Sequence, residues 1–173
     1  TPFRPEPSGF DSGVLSGNVL YFAHPVFSIY RAYGAVILKQ HVVRAIRRLL
    51  GEEVQIRTNL PSQGRVTLMR QPTRRRTVLH LLYADTILRG GGTSPITGDP
   101  VPSIEVVEEL NPLSGVTASV KLTEPVRRVT LEPQGREIAF TVHDGRIEIG
   151  LEQLQCHQMV VFHHGGDAGP EAR

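Results

Sequence analysis

The spacing of apolar residues changes at Gly51, and this change constrains the fold more than any other feature of the sequence. Between Ala35 and Leu50 the apolar residues recur at three- and four-residue spacing, as on one face of an α-helix. Beyond Gly51 apolar and polar residues alternate, as along a β-strand, and the helical spacing does not return. The sequence therefore predicts a short α-containing segment followed by an all-β domain.

The segment before Gly51 contains one amphipathic helix with a clear end. Gly51 suits the position after the last helical turn, and the basic residues Arg47 and Arg48 complement the negative end of the helix dipole. The apolar face of this helix carries five residues, Leu38, Val42, Ala45, Ile46 and Leu49.

A short strand is predicted before the helix. Residues Asn18 to Ala23 read NVLYFA, a β-prone apolar stretch that ends at His24-Pro25, and we expect it to be buried. Residues 1–13 are rich in proline and glycine, which predicts an extended arm or linker. Residues 14–51 are then interpreted as the C-terminal part of an α/β domain.

Residues 52–164 are predicted to form an antiparallel β-sandwich, followed by a flexible tail at 165–173. The firmest evidence is a hairpin in which Ile138, Phe140 and Val142 alternate, Asp144-Gly145 suits a type I′ turn, and the alternation resumes at Ile147. The strand from Val116 to Leu122 alternates equally well and is expected to be half buried. Further strands are predicted at 54–58, 65–70, 76–84, 104–108, 126–131 and 158–163.

Two segments of this β region stand out. Residues Arg76 to Ala84 are apolar on both faces except at His80, which predicts a central strand covered on both sides. Residues Arg89 to Ser103 have no periodicity, and their length exceeds that of an ordinary hairpin connection. We expect a loop that is either mobile or held by a neighbouring subunit.

Composition places the chain among globular proteins, with 39% hydrophobic and 21% charged residues in a length of 173. No apolar run approaches the ~20 residues that span a bilayer, so no membrane contact is predicted. Cys156 is the single cysteine, which rules out an internal disulfide and fits a reducing, cytoplasmic location. Thr1 in place of methionine favours a fragment of a longer protein.

Charge is distributed unevenly between the two halves. Residues 1–80 carry 12 basic and 4 acidic residues, a net charge of +8, whereas residues 81–173 carry 7 and 13, a net charge of −6. The basic charges lie on one helix face and in one turn, without interleaved exposed aromatics, so no nucleic-acid partner is predicted. Charge complementarity within or between subunits is the simpler interpretation.

No catalytic, cofactor-binding or metal-binding set is predicted. Adjacent Glu108 and Glu109 would face opposite sides of a strand, so they cannot form the facing carboxylate pair of a glycosidase. No G-x-S-x-G motif presents a serine nucleophile. Gly90-Gly91-Gly92 lacks the lysine and helix start of a phosphate loop.

Four histidines are candidate site residues. His24 follows the predicted strand, where α/β sheets present ligand-facing groups, although capping the strand or packing on Tyr30 is the simpler role. His157 fits a hydrogen-bonded residue at a strand edge. His163 and His164 could bind a metal, but they would face opposite ways, and a solvated strand end is the simpler interpretation.

The order of elements carries a family resemblance. The stretches GNVLYFAHPVFSIYRAYGAVILKQHVVRAIRRLLG, NLPSQGRVTLMRQ and RRRTVLHLLYA follow one another, and His157 to Val161 supply a last strand. This arrangement resembles the C-terminal region of β-galactosidase-like and α-L-fucosidase-like glycoside hydrolases, over roughly Gly17 to Phe162. In those enzymes a catalytic TIM barrel precedes a glutamine-amidotransferase-like (flavodoxin-like) trimerisation domain and a terminal β domain.

The resemblance implies a noncatalytic accessory region that supports subunit association and frames an active site on a barrel outside this chain. The partners would be the rest of the hydrolase and further copies in a homo-oligomer, with carbohydrate bound through the full enzyme. The alternative is an independent β-sandwich that binds carbohydrate or protein. No catalytic residue can be assigned, because the acid and nucleophile of such enzymes lie on barrel strands absent here.

Overall fold

The computed structural model describes residues 6, 9–51 and 54–165. The predicted arm at 1–13 lies mostly, and the predicted tail at 165–173 almost wholly, outside the described residues. The chain divides into two compact units, Thr1–Val54 and Gln55–Arg173, and the first unit ends three residues after Gly51.

The N-terminal unit consists of a hairpin and two helices. Strands β1 (Gly13–Ser16) and β2 (Val19–Phe22) pair antiparallel through a two-residue turn in which Gly17 has a positive φ of 55°. Helix α1 spans Val26–Tyr33, and α2 spans Val36–Leu50. The two helices pack on each other, and α2 also contacts β2.

Two features of this unit correct the sequence predictions. The strand expected to be buried at Asn18 to Ala23 is the second arm of an exposed antiparallel hairpin, because β1 pairs with one of its edges and little covers its faces. The segment between this strand and α2, for which the sequence analysis predicts no helix, is itself helical, as α1. It begins after Pro25 and ends at Gly34, whose left-handed φ of 63° lets its N–H bond to the carbonyl of Tyr30.

Helix α2 agrees with its prediction to within one residue at the N-terminal end. Gly51 ends it with a φ of 52°, and its N–H bonds to the carbonyl of Arg47. The apolar face is only partly covered, since Val42 is buried while Ile46 and Leu49 remain exposed.

The C-terminal unit is a β-sandwich, as predicted. One sheet has five strands in the order β10-β9-β13-β5-β4, and the other has four in the order β11-β12-β8-β3, all antiparallel. A separate ribbon is formed by β6 and β7. The strands are β3 (Ile56–Thr58), β4 (Arg65–Gln71), β5 (Arg76–Leu82), β6 (Ile87–Gly90), β7 (Ser103–Val106), β8 (Leu113–Lys121), β9 (Val126–Glu132), β10 (Arg136–Ile138), β11 (Phe140–His143), β12 (Arg146–Leu154) and β13 (His157–His164).

The core lies between the two sheets and follows the pleat of each strand. Alternate residues of β8, β12 and β13 face inward, while their neighbours face solvent or the outer side of the sheet. Between β10 and β11 the chain passes from one sheet to the other through a single residue, Ala139. The buried set is Leu79, Leu81, Val116, Ala118, Val120, Val129, Leu131, Ile147, Ile149, Leu151, Leu154, Val160 and Phe162.

The two best-defined strand predictions are confirmed, except that Ile138, predicted in one strand with Phe140 and Val142, belongs to β10 of the other sheet. Val116, Ala118 and Val120 are buried on one face of β8, and Thr117 lies on the exposed face. The hairpin of β11 and β12 turns at Asp144 and Gly145, both with positive φ (48° and 70°), as a type I′ turn requires.

Strand β5 is central, between β13 and β4, as its double-sided apolar pattern predicts. Leu79 and Leu81 fill the inner face. The outer face is covered at Val78 but open at Leu82, which is 41% exposed, so the prediction of full cover on both sides is only partly met.

Candidate interaction surfaces

The N-terminal unit exposes most of its large apolar side chains. Within its described residues only Val26 and Val42 are buried apolar side chains. A folded unit normally hides a core in proportion to its size, so this unit is unlike a self-sufficient domain. Its fourteen exposed large apolar residues are Phe10, Val14, Leu15, Val19, Tyr21, Phe27, Tyr30, Tyr33, Val36, Ile37, Val43, Ile46, Leu49 and Leu50.

His24 lies at the rim of a cleft in this unit. The cleft has a volume of about 300 Å³ and is walled by α1 and α2, with His41 and Arg44 among its polar groups. His41 packs edge-on against Phe22, with ring centroids 5.5 Å apart. The carbonyl of His24 accepts a hydrogen bond from the N–H of Val26 at 2.8 Å, which places this residue at the start of α1. The side chain of His24 is exposed.

The segment predicted as an irregular loop, 89–103, contains the end of β6, the start of β7 and the connection that joins them into a β-ribbon. Strands β6 and β7 pair from Ile87 with Val106 to Gly90 with Ser103, and a bridge between Thr93 and Pro100 continues the pairing. The strand predicted at 104–108 corresponds to β7, whereas β6 was missed, because the glycines that follow Arg89 interrupt the alternation of apolar and polar residues.

Gly90 allows the two strands of the ribbon to approach closely. It has a φ of 72°, and a Cβ atom added there would lie 2.5 Å from the carbonyl oxygen of Pro102. That distance is well inside van der Waals contact, so any other residue would force the strands apart. Glycine is thus required at this position by both its dihedral angle and its neighbour.

The tip of the ribbon is held by its own polar groups. Oγ of Ser94 accepts hydrogen bonds from the N–H groups of Ile96 and Thr97, at 3.3 and 3.2 Å. The N–H of Ser94 donates to the carbonyl of Asp99 at 2.8 Å. These bonds define a compact turn that leaves Ile96 92% exposed.

An ion pair fixes the base of the ribbon. Nε and Nη2 of Arg89 donate to the two carboxylate oxygens of Glu108 at 2.7 and 2.8 Å, a bidentate arrangement. Glu108 lies two residues after the end of β7, rather than inside a strand as predicted, and it is exposed there apart from this contact with Arg89. Leu88 and Ile104 are also exposed, and the register, with Leu88 opposite Glu105 and Arg89 opposite Ile104, puts them on opposite faces of the ribbon.

His157, which is predicted to be a hydrogen-bonded residue at a strand edge, has a specific partner. Its Nε2 lies 3.1 Å from Nδ1 of His80 on the neighbouring strand, and the two rings are stacked. The sequence offers no signal for this pair, because 77 residues separate the two histidines.

His163 and His164 do face opposite ways, as the strand period requires. Nε2 of His163 lies 3.0 Å from Oγ1 of Thr130, whereas Nε2 of His164 lies 2.8 Å from Oγ1 of Thr77. The prediction of a solvated strand end is wrong for His164, which is buried, because Thr77 on β5 and the end of the sandwich cover it. Among residues 6, 9–51 and 54–165 no group of three potential ligand side chains could hold a metal ion.

The part of the chain that the structure describes contains no helix both long and apolar enough to cross a membrane. The aromatic residues of the sandwich, Tyr83, Phe140 and Phe162, are all at least partly buried. No flat aromatic platform of the kind that stacks on sugar rings is therefore exposed on the described sandwich surface.

The comparisons with known proteins give one informative neighbour. No family model matches the chain, and neither does any curated protein. Among solved structures the chain is similar to α-L-fucosidase isoenzyme 2 from Paenibacillus thiaminolyticus, with a TM-score of 0.81 and 38% sequence identity. The match covers 94% of this chain and 23% of that chain, so the chain spans less than a quarter of the length of this relative.

This neighbour bears on the resemblance drawn from the sequence. It is an α-L-fucosidase, a glycoside hydrolase, in agreement with the fucosidase-like part of that prediction. The similarity to β-galactosidases remains a prediction. Coverage of a small part of a longer enzyme is consistent with a noncatalytic fragment of a glycoside hydrolase.

Proposed function

We propose that the chain is a noncatalytic C-terminal accessory region of an α-L-fucosidase-like, and more broadly β-galactosidase-like, glycoside hydrolase. The observation that carries this proposal is the match of 94% of the chain to a small part of a fucosidase. The catalytic barrel, its two acidic residues and the sugar specificity belong to the rest of such an enzyme. A cytoplasmic location is part of the proposal and is supported by the single cysteine, Cys156.

The N-terminal unit is proposed to complete an α/β domain that supports subunit association, including trimerisation. Its exposed apolar residues support this role, because burying such surface is worth about 25 cal/mol per Å². The hairpin and helices would then pack on the preceding part of the same domain or on another subunit.

The ribbon formed by β6 and β7 is proposed to frame the sugar-binding pocket of the barrel, in its own or a neighbouring subunit. Its ion-paired base at Arg89 and Glu108 and its exposed tip at Ile96 suit a projecting contact element. Framing requires only shape and contact, so no reactive side chain is needed on the ribbon.

The association role is tested on the chain itself by sedimentation and by binding of an apolar fluorescent dye. We expect concentration-dependent self-association and strong dye binding, both reduced by Ile37→Glu on α2. Gln40→Glu adds the same charge to an exposed polar position of α2 and should change neither. A cooperatively folded monomer that binds no dye would contradict the proposal.

The hydrolase context is tested by reading the gene upstream of Thr1. We expect a barrel with two carboxylates at strand ends. In the full-length enzyme Ile96→Asp should lower kcat/KM, whereas Val142→Asp, at an apolar position of the sandwich that is also exposed, should leave kcat/KM unchanged. If the two substitutions lowered kcat/KM equally, the proposal that the ribbon frames the pocket would be wrong.

The alternative, an independent β-sandwich that binds carbohydrate or protein, lacks a comparable observation. The three aromatic residues of the sandwich are at least partly covered, which disfavours a sugar-stacking face. Retention of the chain on immobilised glycans without the barrel would reverse this ranking.

A further inference from the structure

Helix α2 has a second row of apolar residues that its own unit leaves uncovered. The row consists of Val36, Val43, Ile46 and Leu50, which are between 37% and 54% exposed. Their spacing, i, i+7, i+10 and i+14, keeps all four within an arc of about 80° on a helix with 3.6 residues per turn. These four residues are named the outer stripe of α2.

The outer stripe is separate from the face of α2 that packs within the unit. That face is centred on Val42, which is buried, with Leu38 and Ala45 half buried beside it. The middle of the outer stripe lies about 110° around the helix from the middle of this packed face. A surface helix ordinarily presents polar residues outside its packed face, so a second apolar stripe indicates a second contact.

The charge of α2 limits what can lie on the outer stripe. The helix carries four basic residues and no acidic residue. Arg47 borders the stripe, between Val43 and Leu50 along the helix, and Arg44 lies beyond it on the same side. Both arginine side chains are exposed, and within the described residues neither makes a hydrogen bond or an ion pair. The polar border of the stripe is therefore cationic.

A second copy of α2 is a poor occupant of the outer stripe. In an antiparallel pair of helices the two arginine borders would meet each other, and like charges at such positions destabilise the pair. In either orientation neither helix supplies a carboxylate. Residues 6 and 9–51 contain only two acidic residues, Glu6 and Asp11, so the rest of this unit offers little to offset the charge.

We propose that the outer stripe binds an amphipathic α-helix whose apolar seam is bordered by aspartate or glutamate. The seam packs on the stripe at three- and four-residue spacing, and the carboxylates pair with Arg44 and Arg47. The arginines also repel helices with basic borders, so the charge gives specificity as well as attraction. This inference rests on the association role proposed above, in which the helix belongs to a part of the hydrolase outside this chain.

The test is a titration of the full chain with two fluorescent peptides of about 21 residues, followed by anisotropy. Both peptides have a leucine seam at heptad spacing, and the residues that border the seam are glutamate in one peptide and lysine in the other. Like charges on these borders keep each peptide from pairing with itself. We expect saturable binding of the glutamate peptide, at least about tenfold tighter than binding of the lysine peptide, with a smaller ratio at high salt.

Matched apolar variants locate the binding surface on α2. Val43→Glu places a charge in the outer stripe and should weaken binding of the glutamate peptide at least about tenfold. Leu50→Glu should do the same, and it serves if Val43→Glu does not fold. Ile37→Glu adds the same charge at an exposed apolar position on another side of α2, and should change binding by less than about twofold.

Arg47 and Arg48 separate a specific border from general positive charge. They are neighbours in the last turn and both are exposed, but Arg48 lies about 160° from the middle of the stripe. Arg47→Glu should weaken binding of the glutamate peptide about fivefold and strengthen binding of the lysine peptide. Arg48→Glu should change either affinity by less than about twofold.

The proposal is overturned if the glutamate peptide shows no saturable binding, if the two peptides bind equally well, or if Arg48→Glu has the same effect as Arg47→Glu. It is also overturned if sedimentation shows that Val43→Glu abolishes self-association of the chain, because a second copy would then occupy the stripe. A gene without a barrel upstream would contradict the hydrolase context alone, since the peptide titrations use only this chain.

Discussion

The imidazole rings of His80 and His157 lie parallel on adjacent strands, with an interplanar angle of 1° and centroids 5.3 Å apart. The 3.1 Å separation of Nδ1 of His80 and Nε2 of His157 is a hydrogen bond, so one nitrogen carries the proton and the other accepts it. The pair joins β5 to the beginning of β13 on the outer face of the five-stranded sheet.

A double-mutant cycle should detect this pair. We expect His80→Ala and His157→Ala to show a coupling free energy of unfolding of about 0.5–1.5 kcal/mol, measured by urea unfolding at neutral pH. His143, an exposed residue of the β11–β12 hairpin, is the control, and His80→Ala and His143→Ala should be additive. Additivity of the His80 and His157 substitutions would show that the bond contributes nothing.

Leu79 and Leu82 provide a matched pair on one strand. Leu79 is 0% exposed and faces the core, whereas Leu82 is 41% exposed on the other face. Leu79→Ala should lower the free energy of unfolding by about 2–5 kcal/mol, because it leaves a cavity between the sheets. Leu82→Ala should cost less than about 1 kcal/mol. Chemical denaturation measures both, and equal losses would contradict the assignment of the inner face.

Gly145 and Gly150 test the hairpin turn. Gly145 has a φ of 70°, so Gly145→Ala should destabilise the C-terminal unit by about 1–2 kcal/mol. Gly150 lies inside β12 without a positive φ, and a Cβ there would meet nothing within 4 Å. Gly150→Ala should therefore be neutral or slightly stabilising in thermal unfolding. A larger loss at 150 than at 145 would contradict the type I′ turn.

His163 should make the stability of the folded chain depend measurably on pH. Burial, reinforced by Arg128 and Arg76, holds its pKa below the ordinary value of 6.5. The unfolded chain then binds the proton more readily than the folded chain, so stability is highest above pH 6.5 and falls as the pH drops through the folded pKa. His163→Gln should remove this part of the pH dependence.

The imidazole proton resonances of the folded chain report the pKa of His163 directly. A midpoint above 6.5, or a stability that rises on acidification only when His163 is present, would reverse the assigned sign.

The strand pattern could be predicted where one face is buried and the other is not. In strands such as β8 and β12, apolar and polar residues alternate because every second residue contacts the opposite sheet. The local sequence is therefore enough to predict these strands. The nine predicted strands match the number in the sandwich, but one of them, at 104–108, belongs to the ribbon instead, and β10 was missed.

Helix α1 was missed although its signal is present. Val26, Ile29, Tyr30 and Tyr33 follow helical spacing, and a proline before and a glycine after them mark the ends. The exposure of the β1–β2 hairpin could not be predicted in this way. The local sequence indicates a strand, but it does not indicate which other residues cover that strand.

The environment of His164 could not be predicted from its neighbours in sequence. Its burial depends on Thr77, 87 residues earlier, and on the shift in register that β13 makes between His163 and His164. Such cross-strand partners are set by tertiary packing, whereas local periodicity reports only which face of a strand a residue occupies.

The last strand of the sandwich, β13, stands in the middle of the five-stranded sheet, between β9 and β5. Both of these neighbours precede it in the chain, so each keeps one unpaired hydrogen-bonding edge until β13 is in place. During synthesis the sheet therefore closes only after His157–His164 leave the ribosome, and a nascent chain stalled before His157 exposes two strand edges that can pair with other chains.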